Sequence, residues 1–543
     1  MTQGNPSTLI ENARLLLPGG ISRGSILLEA GKIAAIGDAA ARAGADSVID
    51  AENCLVSPAF QDAHLHPHGA GLEMLRCDLS GGGGFSDYSR TIGEYLAKHP
   101  DVDWVLGGGW SMEHFDGGNP TAEALDRLVP DRPAFLLNRD HHGAWANSVA
   151  LRLAGIDAGT PDPRDGRIER HPDGSPSGTL HEGAMDLFRH LAPAPGQADL
   201  DAGFELAQAQ MFAWGVTRWQ DAIVGDSAVC HDAYNSYLRM ADDGRLKATV
   251  TGALWWDRER GLDQIEFLSQ RRERAQRPKF RAGSVKLMLD GVAENFTASM
   301  LEPYLDACGC VSGNSGKVFI PTEELLPAAL QLDALGFQMH FHALGDAAVR
   351  QGLDVLEQVR ASNGPRDSRH HLAHLQVVHP DDIPRFAELG AVANMQPLWA
   401  SHEEQMDVLT IPFLGERRAS WQYPFGGLLR AGARLAGGSD WPVSTGNPLE
   451  LIHTAVNRSS LDRGPEAQPL LAEQGLSLQD AWLAHTSGTA FVNHDDDRSG
   501  SLETGKDADL VVLDRDPFLG PLHRIGEASV RYTIARGEVV FSG

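Results

Sequence analysis

The chain has 543 residues and a formal net charge of −27. It is too long for one small core and long enough for a large barrel with a satellite domain. The acidic balance argues against nucleic acid or an anionic membrane as the main partner, and no apolar stretch approaches the roughly 20 residues of a membrane span.

The first residues, Met1-Thr2-Gln3-Gly4-Asn5-Pro6, lack the basic-then-apolar pattern of a signal peptide. The five cysteines are scattered, and the one close pair, Cys308-Gly309-Cys310, lacks zinc-ribbon spacing. A reducing cytoplasm is the expected compartment, with a small molecule as partner and a homodimer as the expected assembly. Residues 1–57 read as short strands separated by glycines, among them Leu15-Leu16-Leu17 and Ser25-Ile26-Leu27-Leu28. Residues 498–543 read likewise, with Ala508–Leu513, Val530–Ile534 and Gly537–Phe541. Neither end has enough strands for its own core, so the two are expected to form one small sheet domain together.

Between them, over 58–497, strand-like runs alternate with helical ones. The strands are predicted near Ala59–His66, Val216–Asp221, Leu246–Ala253, Ser284–Asp290, Phe337–His342, His371–Val377, Ala391–Gln396 and Ala433–Asp440. Helices are predicted at Leu200–Trp214, Glu323–Leu335, Asp346–Val359 and Asp381–Leu389. Eight strand–helix units imply a parallel (β/α)₈ barrel whose site lies at the C-terminal strand ends. An insertion over about 68–200 follows the first strand and is expected to overhang the barrel mouth.

His64-Leu65-His66 ends the first strand, and alternation points both imidazoles to one face. Two such groups can grip a transition metal ion, or simply face solvent from a half-buried strand. Downstream strand ends add candidates. His342 lies nearer the rim than His340, which is placed one layer deeper. His374 ends the sixth strand, while His370 and His371 read as polar residues at its start. Asp440 follows Gly437-Gly438-Ser439, as ligand or proton carrier. Lys286 falls on the barrel-interior face of the fourth strand, where a bare ammonium is costly. It is either paired with Asp290 or another acid, or carries CO₂ as a carbamate able to bridge two metal ions.

With these residues assembled, the chain resembles the metal-dependent amidohydrolase superfamily, and within it the YtcJ-like and N-substituted formamide deformylase-like branch. The resemblance spans nearly the whole chain. It rests on Pro58–Pro67, Gly109-Trp110, Asp140-His141-His142 with Asn147-Ser148, Lys286 with Asp290-Gly291, and Thr297-Ala298. It rests further on His342–Asp346, His374, Gln396-Pro397, Gly438–Pro442 and Gly505–Leu510. It implies an α/β fold: a distorted TIM barrel with a composite β-sandwich from both termini. It implies a divalent metal, zinc or similar, held by His64, His66, His342, His374 and Asp440, with one or two ions and two if Lys286 is carboxylated. Asp440 is implied as general acid/base, and His142 as the group that polarises a carbonyl or binds the leaving group. Substrate contacts are expected from Asp140, Trp110, His142, Gln396 and Trp441. The chain departs from the family at His141, where glycine is usual, at Ala373, where an acid is common, and at Ala347, where arginine is usual.

The implied reaction is hydrolysis of a non-peptide C–N bond, an amide, N-formyl or N-acyl group, by metal-activated hydroxide. Carbamate, ester or cyclic-amide hydrolysis on the same site is the alternative among enzymes. A catalytically silent metal-binding regulatory protein is the alternative of another class. The aromatic residues Trp110, Phe115, Trp219, Phe296, Trp399, Trp421 and Trp441 either line the mouth for a bulky N-substituent or fill core and lid packing.

Overall fold

A computed structural model describes residues 7–227 and 230–543. Among the described residues, three sheets form. The central one has eight parallel strands: β1 (Phe60–Leu65), β2 (Val216–Val224), β3 (Thr249–Trp255), β4 (Phe280–Met288), β5 (Gln338–Ala343), β6 (His371–His374), β7 (Val392–Met395) and β8 (Arg434–Gly437). Each pairs with the next in chain order, and β2 also pairs with β1. Every residue of β1, β5, β6 and β7 is buried, as expected of strands covered by helices on one face and barrel side chains on the other. Among the described residues no ladder joins β8 to β1. The seam is crossed just past the strands, where Asp440 N–H donates to His64 O at 2.7 Å and His66 N–H to Trp441 O at 2.8 Å.

All eight predicted strands are present, with shifted ends. β4 begins four residues before Ser284 and stops at Met288. Asp290 therefore lies beyond it, accepting backbone N–H groups of Ser299, Leu344 and Gly345. β6 stops at His374 because His374 and Leu375 take φ of 80° and 53°, which a strand cannot accommodate. Crossover helices include Gln197–Ala213, Thr322–Ala334, Asp346–Asn363 and Ile383–Leu389. The last replaces part of the predicted Asp381–Leu389 helix, whose first turn is a 3₁₀ turn at Pro380–Asp382.

The two chain ends share one eight-stranded sheet. It is joined where Leu55–Pro58 pairs antiparallel with Leu510–Leu513. Beneath it, the buried Arg218 guanidinium of β2 bonds Asp495, Asp507 and Asp509, tying the barrel to the C-terminal segment. Arg281 also pairs with Asp495 and Lys32 with Asp507, so the three carboxylates are met by three cations, as buried ions require.

The segment between β1 and β2 builds a third sheet of six strands, from Cys77–Asp78 to Pro176–Glu182. The run Gly107-Gly108-Gly109 has a steric cause. A Cβ on Gly107 would lie 2.1 Å from Cys77 O, and one on Gly109 2.6 Å from Ser80 N, both at positive φ. No helix among the described residues is long and apolar enough to cross a membrane.

Candidate metal centre and active-site cavity

A cavity of about 910 Å³ opens at the C-terminal ends of the barrel strands. Its floor carries His64, His66, Lys286, His342, His374 and Asp440. Period-2 alternation sends His64 inward from β1, and the chain turn after Leu65 brings His66 to the same point. Asp440 sits between them: its Oδ1 is 2.9 Å from His66 Nε2 and 3.2 Å from His64 Nε2. Its Oδ2 is 3.9 Å from His374 Nδ1. The His342 and His374 ring centroids are 4.5 Å apart, and those of His64 and His374 are 4.7 Å apart. Close approach at the seam depends on Gly438, where a Cβ would fall 2.8 Å from both His64 Cβ and Gln396 Nε2. The backbone is strained here, since His374 and Asp440, the latter at φ 59°, are not glycines.

Electrostatics separates the groups. Burial pulls His64 down to about 3 and Lys286 down to about 7, the latter only partly offset by the charge of Asp440. Lys286 is not paired with Asp290, whose carboxyl already accepts the three backbone N–H groups named above. Its Nζ lies 3.4 Å from His64 Nε2. Asp62, under the seam, accepts His64 N–H and Ser439 N–H, and burial raises it to about 7.

The overhanging segment supplies a second group. Asp140 Oδ1 accepts the backbone N–H of His142 at 2.8 Å, turning the 140–142 loop over the cavity. His142 Nδ1 meets Glu182 Oε2 at 2.9 Å, and Glu182 Oε1 accepts from Thr297 Oγ1 at 2.7 Å. Burial works against a charge on His142, but Glu182, by charge and hydrogen bond, outweighs it and raises the imidazole to about 9. Gly291 admits this pair, since a Cβ there would lie 2.3 Å from Glu182 Oε1. His141, the departure from glycine, takes φ 65° and bonds Glu73 Oε1 at 2.8 Å across the mouth.

Of the expected substrate contacts, Asp140, His142 and Trp441 line the cavity. Trp110 and Gln396 do not, and both expectations are corrected. Trp110 is fully buried in the six-stranded sheet's core against Phe115 and Trp145, with its N–H donated to Leu136 O. Gln396 is fully buried and spends its amide internally, accepting His374 N–H at 2.7 Å and donating to Asn394 Oδ1 at 3.1 Å. It holds the strained backbone of His374. Of the other aromatics considered, Trp399 lines the cavity, stacked on His374, while Trp219 is wholly in the core. Trp214, Trp255 and Tyr423 line the cavity without having been singled out in the sequence, as do Glu73 and Glu182. Only spatial proximity marks them.

Trp110→Ala should cost about 3–5 kcal/mol of stability through the cavity it leaves, seen as a lower melting temperature. KM of Trp110→Phe should stay at the wild-type value. A raised KM with unchanged melting would restore Trp110 as a substrate contact.

The residues fit a divalent ion. His64, His374 and Asp440 each offer a ligand atom within 4.8 Å of the others, all buried. His374 Nδ1 is buried without a hydrogen-bond partner, a costly state that a bound cation relieves. Two imidazoles and a carboxylate suit zinc and its neighbours.

A model of the amidohydrolase family matches residues 47–541. Protein LONG AFTER FAR-RED 3 of Arabidopsis thaliana is 31% identical over 484 residues, covering 86% of this chain and 79% of that one. The N-substituted formamide deformylase of Arthrobacter pascens is 28% identical over 529 residues, covering 94% of each. Among solved structures, an uncharacterized metal-dependent hydrolase from Pyrococcus furiosus superposes with a TM-score of 0.70 at 25% identity, covering 94% of this chain and 99% of that one.

Proposed function

The chain belongs to the amidohydrolase family, and from that premise we propose that it hydrolyses an amide, N-formyl or N-acyl C–N bond of a small molecule. The observation that carries the reading is the convergence of four histidines and Asp440 on the cavity floor. His64, His66, His342, His374 and Asp440 would hold a divalent metal, zinc by preference. When bound, such an ion polarises a carbonyl and lowers the pKa of water toward neutrality.

The chain's own groups divide the remaining work. Asp440 is ionised: burial favours its proton, but the imidazoles of His64, His66 and His374 outweigh burial and hold the carboxyl well below its usual range. It takes the proton of the attacking water and delivers it to the leaving nitrogen. His142, kept protonated by Glu182, donates toward the oxygen that gains charge as the carbonyl is attacked. Lys286, held near 7 by burial, retains enough free amine to add CO₂ with loss of one proton; the carbamate so formed would make room for a second ion. Trp399, Trp441 and Met406 give the cavity an apolar wall for the N-substituent. The activity for which the Arthrobacter pascens relative is named points to an N-substituted formamide as the first compound to try.

Metal quantification paired with hydrolysis of N-formyl, N-acetyl, cyclic-amide and carbamate compounds tests the reading. Turnover of an N-formyl or N-acyl compound, abolished by a chelator and restored by Zn²⁺, is the expected result. No turnover of any C–N substrate by fully metallated protein would sink it.

A further inference from the structure

Below the cavity floor, the barrel interior holds a line of buried polar side chains whose proton positions can be worked out one from the next. Gln338 starts it. Its Nε2 donates to two backbone carbonyls, Arg369 O at 2.8 Å and Val492 O at 2.6 Å. An amide oxygen cannot stand there, so the orientation of Gln338 is set. Its Oε1 therefore accepts, and the partner, Gln220, turns its Nε2 toward it at 3.2 Å and toward Asn493 Oδ1 at 2.9 Å. That leaves Gln220 Oε1 facing His340 Nδ1 at 2.6 Å. A carbonyl oxygen only accepts, so His340 carries its proton on Nδ1.

His340 Nε2 then faces His64 Nδ1 at 2.8 Å. Among the described residues no carboxylate bonds His340, so a second proton on its ring would be an uncompensated buried charge. In the neutral ring Nε2 is the acceptor, and His64 must donate from Nδ1. The remaining nitrogen, His64 Nε2, has a lone pair and lies 3.2 Å from Asp440 Oδ1, two electron-rich atoms whose close approach a cation bound between them would satisfy. The amine of Lys286, 3.4 Å away, can donate into that lone pair, independently consistent with the same tautomer. Gln220, His340 and His64 are each wholly buried, so water cannot substitute for a missing member.

We infer that Gln338, Gln220 and His340 form a relay that locks His64 in the Nδ1–H tautomer and keeps its Nε2 lone pair aimed at the metal. The inference rests on the metal-centre reading given above. Gln220 and His340 are positioning residues: they touch neither substrate nor ion and act through His64. Neutral histidine ligates through an unprotonated nitrogen, and groups that set its tautomer typically account for 10–100-fold in metal affinity.

The test is Zn²⁺ affinity of the metal-stripped protein, measured against a competing chelator, with a melting curve for each variant. Gln220→Leu removes the acceptor that orients His340, and His340→Leu removes the acceptor for His64 Nδ1–H. Each is expected to weaken Zn²⁺ binding about 10–100-fold without loss of the folding transition. His340→Gln offers an amide oxygen to the same N–H and should bind Zn²⁺ within a few-fold of wild type, with an unchanged Co²⁺ absorption spectrum. Wild-type affinity in Gln220→Leu overturns the relay, and so does a loss in His340→Gln as large as in His340→Leu. If the leucine variants do not fold, His340→Gln decides alone: retained affinity supports the relay and lost affinity overturns it. Wild-type protein that takes up no Zn²⁺ overturns the metal-centre reading itself, an outcome distinct from a failed relay.

Discussion

Asp440→Asn is expected to lower kcat/KM by about a thousandfold while leaving the melting temperature near the wild-type value. Asparagine matches aspartate in shape and preserves the backbone bond from residue 440 to His64 O. It cannot accept a proton from water or return one to a leaving nitrogen, a loss that removes about 10²–10⁴ in rate. The negative charge shared among His64, His66 and His374 goes with it, so some loss of metal is also expected. Metal content must therefore be measured beside kinetics, and the comparison made at saturating Zn²⁺. Activity within tenfold of wild type under that condition would remove Asp440 from the chemistry.

Glu182→Gln should change how activity depends on pH. His142 in the wild-type protein stands at about 9 against an ordinary 6.5. Its protonated form is the donor, so kcat/KM should fall as pH rises through about 9. Without the Glu182 charge, burial is opposed only by the smaller influences of Asp140 and Asp440, and the alkaline limb should move down by roughly one to three pH units. At pH 8 the variant should then be about twofold slower for a shift of one unit and about a hundredfold slower for three, as the protonated donor is lost, and should recover on acidification. The same pair bears on stability. Because the folded value exceeds the unfolded one, its contribution is complete below 6.5 and is lost as pH rises through about 9. The wild-type melting temperature should therefore decline over that window more than that of Glu182→Gln. An unshifted alkaline limb in the variant would assign it to another group.

Asp440 stands out in the sequence because it follows two glycines at the end of a strand-like run. Glu182 has no such signal. It lies 40 residues from His142 and 115 from Thr297, and the three meet only because the overhanging sheet folds onto the loop after β4.

What the sequence alone determined is what depends on local periodicity. Alternation put His64 on the inner face of its strand and His340 one layer below His342. The alternating strands and helices specified the barrel, and with it the rim to which His374 and Asp440 belong. Tertiary structure decided everything that depends on which side chain reaches which partner across the barrel. It took Trp110 and Gln396 out of the cavity, because an indole and an amide that find partners in a packed interior have no reason to face substrate. It separated Lys286 from Asp290, whose oxygens are taken by backbone N–H groups from two other loops. It also set the tautomer of His64 through Gln220, 156 positions away in the chain, since a buried hydrogen bond depends on distance in space rather than in sequence.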